Sequence, residues 1–420
     1  MPEPRTIRQR RGERGVTILL VAVFLAFVVV TFAALAIDLT ALYSARGEAR
    51  QAADAAALAG AKVLANSGFT SDPTNTTLAA AAQTLASQIA TSVGTHSSVG
   101  GRQLLSSEVN VSFPNSGSPQ FTANPQVSVL VRRTGLPTFF AKIWGIQALS
   151  VSATSTAEAY NPSNSTSPNN PPISPQCVKP WVMSNINPLP ASTARIFNPV
   201  TGQLGLTNIV GGSFTLQPAG CMTSGGCGVP TTGISKDEYY PALLAAPVSG
   251  SLPTCGNSLA CTYEQTIAGC SNTTVQCNTN LNITYDTTNA CTSYINSTQS
   301  ATSCMIHDAL GADILNPVPS PPLSNPVQME AGAGNKLVRA GVLAQDAPIT
   351  TSESIATILV VDNGNVTNAI GFLQVFVDSV DAGGNIAVHV LNAAGCGTAM
   401  TNLPVLGDGV SPVPVRLIGQ

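Results

Sequence analysis

An uninterrupted apolar run near the N-terminus dominates the hydrophobic pattern of the chain. Residues 16–37 are 22 positions without a charged residue, proline or glycine, and fifteen of them are Val, Ile, Leu or Phe. A helix of this length spans about 33 Å, which matches the ~30 Å hydrocarbon core of a bilayer. The pattern therefore predicts a single transmembrane helix over 16–37.

A cleaved secretory signal is the alternative interpretation of this run. Ala34-Leu35-Ala36 has the small-x-small form of a cleavage site, and a basic segment precedes the run. However, the apolar core of a signal normally covers only ~7–15 residues. The sequence after Ile37 is also strongly helical, so we expect the run to be retained as an anchor.

The helical pattern continues beyond the predicted span. Residues 39–65 contain no proline, two glycines, and eight alanines between positions 49 and 61. Alanine is the strongest helix former, so one rod of roughly fifty residues and about 75 Å is predicted. Its small residues form a stripe that either admits a second helix, including another copy of this chain, or simply reflects helix propensity. The stripe consists of Ala49, Ala52, Ala53, Ala56, Ala59 and Gly60.

Shorter periodic segments follow the rod and predict a small α+β module. Residues 78–93 have helical spacing, whereas 108–113, 126–132 and the run starting at Leu149 alternate as strands do. An aromatic group between 133 and 145 indicates a short helix. We assign residues 38–160 to this stalk and module.

A proline-rich segment separates the module from the rest of the chain. Residues 161–176 are rich in Pro, Asn and Ser, which favours a solvated linker. Residues 177–420 show strand-like runs at 355–362, 370–378, 386–391 and 413–418, with a loop-rich region at 250–315 that we expect to be held by cross-links rather than by burial. The predicted fold class is α+β, with a mostly-β C-terminal domain.

The charge distribution is asymmetric along the chain. Charged residues make up 9% of the sequence and the net charge is −3, so the chain as a whole lacks the positive charge that is typical of nucleic-acid-binding domains. Residues 1–14 nevertheless carry +3, so the positive-inside rule predicts a cytoplasmic segment 1–15 and an exported remainder. The arginines that set this topology are Arg5, Arg8, Arg10, Arg11 and Arg14.

Cysteine usage supports the same orientation. All ten cysteines follow residue 176, and neither C-x-x-C pairs nor zinc-type spacing occur. An even number on the exported side indicates disulfides in an oxidising compartment, with a connectivity that sequence leaves open. The candidates are Cys177, Cys221, Cys227, Cys255, Cys261, Cys270, Cys277, Cys291, Cys304 and Cys396.

A search for catalytic chemistry yields no site. His307 and Asp308 are adjacent, but adjacency does not fix an acid–base geometry, and no nucleophile motif accompanies them. Gly332 to Lys336 lacks the phosphate-loop spacing. We therefore expect no catalytic residue, metal or cofactor, and a protein that is not an enzyme.

The N-terminal region carries a recognisable arrangement of residues: Arg14-Gly15 before the apolar run, Asp38 after it, Tyr43, and a box that includes Gln51, Ala52, Ala53, Asp54, Ala56, Leu58 and Gly60. In these residues it resembles the TadE/TadG-like Flp pilus-assembly proteins. The stretch from Pro137 to Gly145 is similar to a P-T-F-F-A-x-x-x-G segment of such proteins. Residue Leu20 stands where processed prepilins have glutamate, so the resemblance is to an uncleaved, TadG-like anchor.

This resemblance implies a non-enzymatic component of Flp (Tad) pilus assembly in the bacterial inner membrane. Its expected partners are the lipid bilayer and other Tad proteins, with self-association through the alanine-rich helix as a further possibility. A membrane-tethered adhesin or matrix-binding protein of another system is the alternative function.

Overall fold

The computed structural model describes residues 12–116, 124–138, 140–145, 147–164, 171–189, 193–223, 227–247, 252–253, 259–271, 273–277, 283–287, 291–397, 403–407 and 411–419. Its longest element is helix α1, Gly12–Asn66, which covers 55 residues without a break and is about 80 Å long. The predicted span and the alanine-rich segment are therefore one continuous helix.

Two helices and an antiparallel sheet form the first layer of the fold. Helix α2, Thr76–His96, begins where the Asn75 side chain accepts a hydrogen bond from the Leu78 amide at 3.0 Å. It packs beside α1, and both cover a four-stranded sheet in the order β17-β5-β4-β3. The strands of this module are β1 Ser98–Val99, β2 Arg102–Gln103, β3 Val109–Ser112, β4 Gln126–Pro137, β5 Ala148–Ala159 and β17 Val415–Gly419.

The small-residue stripe on α1 is covered by the chain's own sheet and second helix. Ala53 and Ala56 are fully buried, together with Val127 on β4. A Cβ at Gly60 would lie 3.0 Å from Val127 Cγ1 and 3.2 Å from Ala90 Cβ, so a side chain here would press against both neighbours. The second helix that this stripe admits in the structure is therefore the chain's own α2, and self-association through it stays a prediction.

The last strand of the chain returns to the N-terminal module. Strand β17 pairs antiparallel with β5, and Arg416 forms an ion pair with Glu158 at 2.6 Å. The alternation at 413–418 predicts a strand of the C-terminal region, because a sequence pattern can identify a strand but not the strand with which it pairs. In the structure it is an edge of the first sheet.

A closed six-stranded barrel forms the second part of the molecule. Its order is β13-β14-β15-β8-β9-β7, and its wall is apolar on both faces of β13 and of most of β14, as the continuous hydrophobic runs predict. The strands are β7 Val178–Ser184, β8 Ser213–Pro218, β9 Glu238–Pro241, β13 Ile355–Asp362, β14 Asn365–Val380 and β15 Ile386–Gly395.

Short elements surround the barrel. Helices α3, Thr262–Ala268, and α4, Tyr294–Met305, contact each other through Tyr263 and Tyr294, whose ring centroids are 5.1 Å apart. Both tyrosines are buried, so the described part of region 250–315 is held by burial as well as by cross-links, contrary to expectation. The remaining elements are α5 Lys336–Arg339, β6 Ile173–Ser174, β10 Ile314–Leu315, β11 Met329–Glu330, β12 Pro348–Ile349 and β16 Val405–Leu406.

A buried polar network joins the end of α1 to the barrel. Asn392 on β15 is fully buried, and its side-chain amide donates to the carbonyl oxygen of Ala65. Ser71 and the backbone of Ala393 exchange hydrogen bonds of 2.7 and 2.8 Å. Asn161 donates to the Ala393 carbonyl oxygen at 2.9 Å. Because each buried polar group here has a partner, the network positions the helix end on the barrel.

The predicted linker contributes to this core at both of its described ends. Asn161 and Ile173 are fully buried, and Ile173 on β6 pairs with Val405 on β16. Proline-rich backbone is extended, so it can form an edge strand as readily as a solvated connection. The described ends of 161–176 are thus buried rather than solvated.

Candidate functional site

The N-terminal part of α1 presents an apolar surface on all its sides. Ile18, Phe24 and Phe32 are 70%, 66% and 68% exposed. Among the described residues, α1 is the one helix long and apolar enough to cross a membrane. From Ala45, which is 2% exposed, onward one face of the same helix is buried in the module. A lipid-type surface and a protein core are therefore parts of one rigid element.

Of the arginines expected to set the topology, one lies within the described residues. Arg5, Arg8, Arg10 and Arg11 fall outside the described residues. Arg14 belongs to the first turn of α1.

Asp38 connects α1 to the short helix Ala141–Trp144 at the point where the apolar surface ends. Its Oδ2 accepts hydrogen bonds from the backbone amides of Phe140, at 3.0 Å, and Ala141, at 2.6 Å. The carboxylate is only 8% exposed, and burial of a charge is costly unless it is hydrogen-bonded. These amides start the short helix, where free N–H groups favour a negative charge. Asp38, the first residue after the apolar run, therefore holds the 140–144 turn against α1.

This contact brings together two segments that sequence analysis noted separately. Asp38 and the stretch from Pro137 to Gly145 each contribute to the family resemblance, yet they are about 100 positions apart. The spacing contains no signal that pairs them. Asp38 is recognisable in the sequence from the family resemblance and as a lone carboxylate directly after the apolar run, but its partner is not.

A cleft of about 280 Å³ opens above Asp38, between α1, the β1–β2 turn and the end of β4. On its rim, the Gly100 amide donates to Glu48 Oε2 at 2.7 Å, which attaches the hairpin to the helix. The side chains of Leu42, Leu136 and Leu149 supply apolar walls. The arrangement can bind or position a partner at the side of the module next to the apolar part of α1.

The residues of the family box lie on several sides of α1. Ala52, Ala53, Ala56 and Gly60 are buried, and Asp54 and Leu58 are half-buried, whereas Gln51 is exposed. The alanines and the glycine thus contact the sheet and α2. Their spacing serves the close packing of this module.

A second buried carboxylate stabilises the β3–β4 edge of the sheet. Glu108 contacts Arg133 at 3.1 Å and Arg102 at 2.8 Å. Burial tends to raise the pKa of Glu108, but hydrogen bonds from the Leu105 amide and Arg133, together with both guanidinium charges, leave this pKa below its ordinary value. This cluster is a structural ion-pair network.

The described disulfides cross-link segments that lie outside the strands of the barrel. Four bridges join described cysteines, and Cys304 is also disulfide-bonded. Cys255 lies outside the described residues. No cysteine is free within the part of the chain that the structure describes. The four bridges are Cys177–Cys270, Cys221–Cys227, Cys261–Cys291 and Cys277–Cys396.

Lys179 is a buried cation in the barrel wall. Its Nζ donates to the carbonyl oxygens of Ile267, at 2.5 Å, and Gly269, at 2.8 Å, which end α3. Desolvation lowers the pKa of Lys179 to about 7, against the opposing charge of Glu353. The lysine satisfies orphan helix-end carbonyls, which is a structural role.

Two of the three histidines pair with carboxylates, whereas the His96 ring lies 2.7 Å from the Ser92 carbonyl oxygen. His307 contacts Glu353, and His389 Nδ1 lies 2.6 Å from Asp378 Oδ2 across neighbouring strands. The hydrogen bond from His307 lowers the pKa of Glu353. Within the described residues no three His, Cys, Asp or Glu side chains form a group suited to a metal.

The geometry defines a class of protein in which one candidate membrane span continues without a break into a folded region. This region, which we call the head, consists of the N-terminal module and the disulfide-bonded barrel. Residues 15–63 match the family described as putative Flp pilus-assembly TadE/G-like. This match covers the span, Asp38 and the whole family box, and it confirms the resemblance of the N-terminal region. The comparisons with curated proteins and with solved structures find no match.

Proposed function

We propose that the chain is a non-enzymatic, membrane-anchored component of Flp (Tad) pilus assembly in the bacterial inner membrane. The family match of residues 15–63 supports the process. The continuity of α1 supports the anchor, because most of its side chains between Val16 and Ile37 are apolar and exposed and one face of it is buried from Ala45 onward.

In this proposal the span carries a head to the outer side of the membrane. The arginines of segment 1–15 keep the N-terminus in the cytoplasm, and the disulfides fit an oxidising compartment. The partners are the bilayer and other Tad proteins, which contact the span or the head. No catalytic group, cofactor or nucleic acid has a part in it.

Complementation of a deletion strain tests the anchor. One version of the gene encodes the full chain, and the matched control replaces residues 1–37 with a cleavable secretion signal, so that the same head is exported without its anchor. We expect only the anchored chain to restore surface pili, and an alkaline phosphatase fused to residue 420 to be active. Normal piliation in the deletion strain, or restoration by the released head, would contradict the proposal. A released head that binds surfaces by itself would instead favour an adhesin.

A further inference from the structure

The depth of the Asp38 contact relative to the bilayer follows from helix geometry. The apolar run ends at Ile37, and each later residue of α1 rises by about 1.5 Å. The headgroup layer extends roughly 5–8 Å beyond the hydrocarbon on each side. Asp38 and the next few residues of α1 therefore lie in this layer if 16–37 spans the membrane.

The short helix Ala141–Trp144 lies at the same depth because it is hydrogen-bonded to Asp38. Oδ2 of Asp38 is 3.0 Å from the Phe140 nitrogen and 2.6 Å from the Ala141 nitrogen. An aspartate side chain is short, so these amides cannot be more than a few ångströms from the level of its helical turn. The turn is thereby held beside the point where α1 leaves the lipid.

The residues at this level have the chemistry of a membrane interface. Lys142 is exposed and Phe140 is half-buried, while Leu39 and Tyr43 on α1 are 47% and 64% exposed. Aromatic rings are enriched at the headgroup level, and lysine places its charge beside lipid phosphates while its stem covers apolar surface. Trp144 ends the turn.

We infer that the turn Ala141–Trp144 is a second membrane contact, which lies in the headgroup layer beside the span and takes phospholipid as its ligand. This inference rests on the proposed anchor. A helix alone leaves the head free to tilt and to rotate about the helix axis, whereas a second contact beside it restricts both motions. The head is then presented to its partners in one orientation.

The two tryptophans of the chain provide a direct test. Trp144 lies in the turn, whereas Trp181 is fully buried in the barrel. The barrel is attached to the far end of α1, about 40 Å beyond Ile37. We therefore expect bilayer-bound quenchers to reduce the emission of Trp144 and to leave that of the buried Trp181 unchanged. The span itself contains no tryptophan.

The experiment compares the full chain with Trp144→Phe in vesicles of phosphatidylethanolamine and phosphatidylglycerol. Separate samples carry a nitroxide on the headgroup, near the top of the acyl chain, or near its end. We expect the headgroup and shallow labels to remove about half or more of the emission that the wild type has in excess of Trp144→Phe. Emission from Trp144→Phe itself should be insensitive to all three labels, which also reports an intact barrel.

The outcomes separate this inference from the proposed function. If alkaline extraction leaves the protein in the vesicles and the Trp144 emission is unquenched, or is quenched most by the deep label, the headgroup contact is wrong while the anchor stands. If the protein is extracted from the vesicles, the anchor itself fails and the inference fails with it.

Discussion

The N-terminal module and the barrel achieve stability in different ways. Residues 38–160 contain no cysteine, and their core depends on alanines and one glycine of α1 that let a sheet and a second helix approach closely. The barrel region carries every cysteine of the chain and fills its core with large side chains such as Trp181 and Phe372. The stability of the N-terminal module depends on the close packing of small residues, whereas that of the barrel depends on burial of large side chains and on disulfide bonds.

The largest expected effect is the loss of stability when the disulfide with the greatest described sequence separation is removed from the barrel region. Cys277 and Cys396 are separated by 119 residues, and chain entropy assigns about 5 kcal/mol to a loop of that size. We expect Cys277→Ser with Cys396→Ser to lower the free energy of unfolding by about that amount. Urea unfolding followed by Trp181 fluorescence measures it.

A second bridge provides the control for this prediction. Cys221 and Cys227 are only 6 residues apart, so their replacement by serine should cost about 2 kcal/mol. Equal losses in the two double variants would show that loop size does not govern the stability of the barrel.

The next effect breaks the close packing of the N-terminal module. A side chain at Gly60 meets Val127 and Ala90 at 3.0 and 3.2 Å, so Gly60→Leu should destabilise the module by about 3 kcal/mol through overpacking. Gly47 on the same helix has no neighbour within 4 Å of an added Cβ, and Gly47→Leu should leave stability unchanged or slightly higher. Thermal unfolding by circular dichroism compares them. Similar melting temperatures for both variants would contradict the assigned packing.

A smaller effect is a pH dependence of the free energy of unfolding, which arises from Lys179 in the barrel. The pKa of Lys179 is lowered by burial to about 7, so between pH 7 and its ordinary value near 10.5 the unfolded chain binds more protons than the folded chain. Stability therefore rises with pH, by about 2 kcal/mol between pH 7 and pH 9. Buried tyrosines oppose this trend only above pH 10, because burial raises the pKa values of Tyr239 and Tyr263.

Substitution of the lysine isolates this contribution. Lys179→Met keeps the side-chain length and removes the titrating group, so its unfolding free energy should lack the rise that the wild type shows between pH 7 and pH 9. A rise of the same size in both proteins would assign the pH dependence to other groups.

The smallest effect is local and lies at the junction with the span. Asp38→Asn removes the charge that holds the amides of Phe140 and Ala141, which should weaken the turn by about 1 kcal/mol. Trypsin should then cut after the exposed Lys142 about five times faster, as mass spectrometry of the products can show. Glu48→Gln is the control, because Glu48 binds Gly100 instead. Equal cleavage in both variants would show that Asp38 does not hold the turn.

Local periodicity predicted the long elements of both parts, but it did not predict β7, β8 and β9 of the barrel or the helices beside it. The run 355–362 coincides with β13, and helix 78–93 lies within α2. Long-range partners could not be predicted, because nothing in the spacing of Asp38 and Phe140, or of Val415 and Ala159, distinguishes them from other pairs. The alanine stripe shows the same limit: the sequence identified a close-packing surface, but the partner is the chain's own sheet.

The central claim is that residues 16–37 remain covalently part of the membrane-bound protein and continue into the core of the head. Mass spectrometry of the native protein, extracted from membranes after alkaline washing, tests this most directly. We expect peptides that span the bonds 15–16 and 36–37 intact. Recovery of the protein only as a form that begins after Gly15 or after Ala36 would contradict the account.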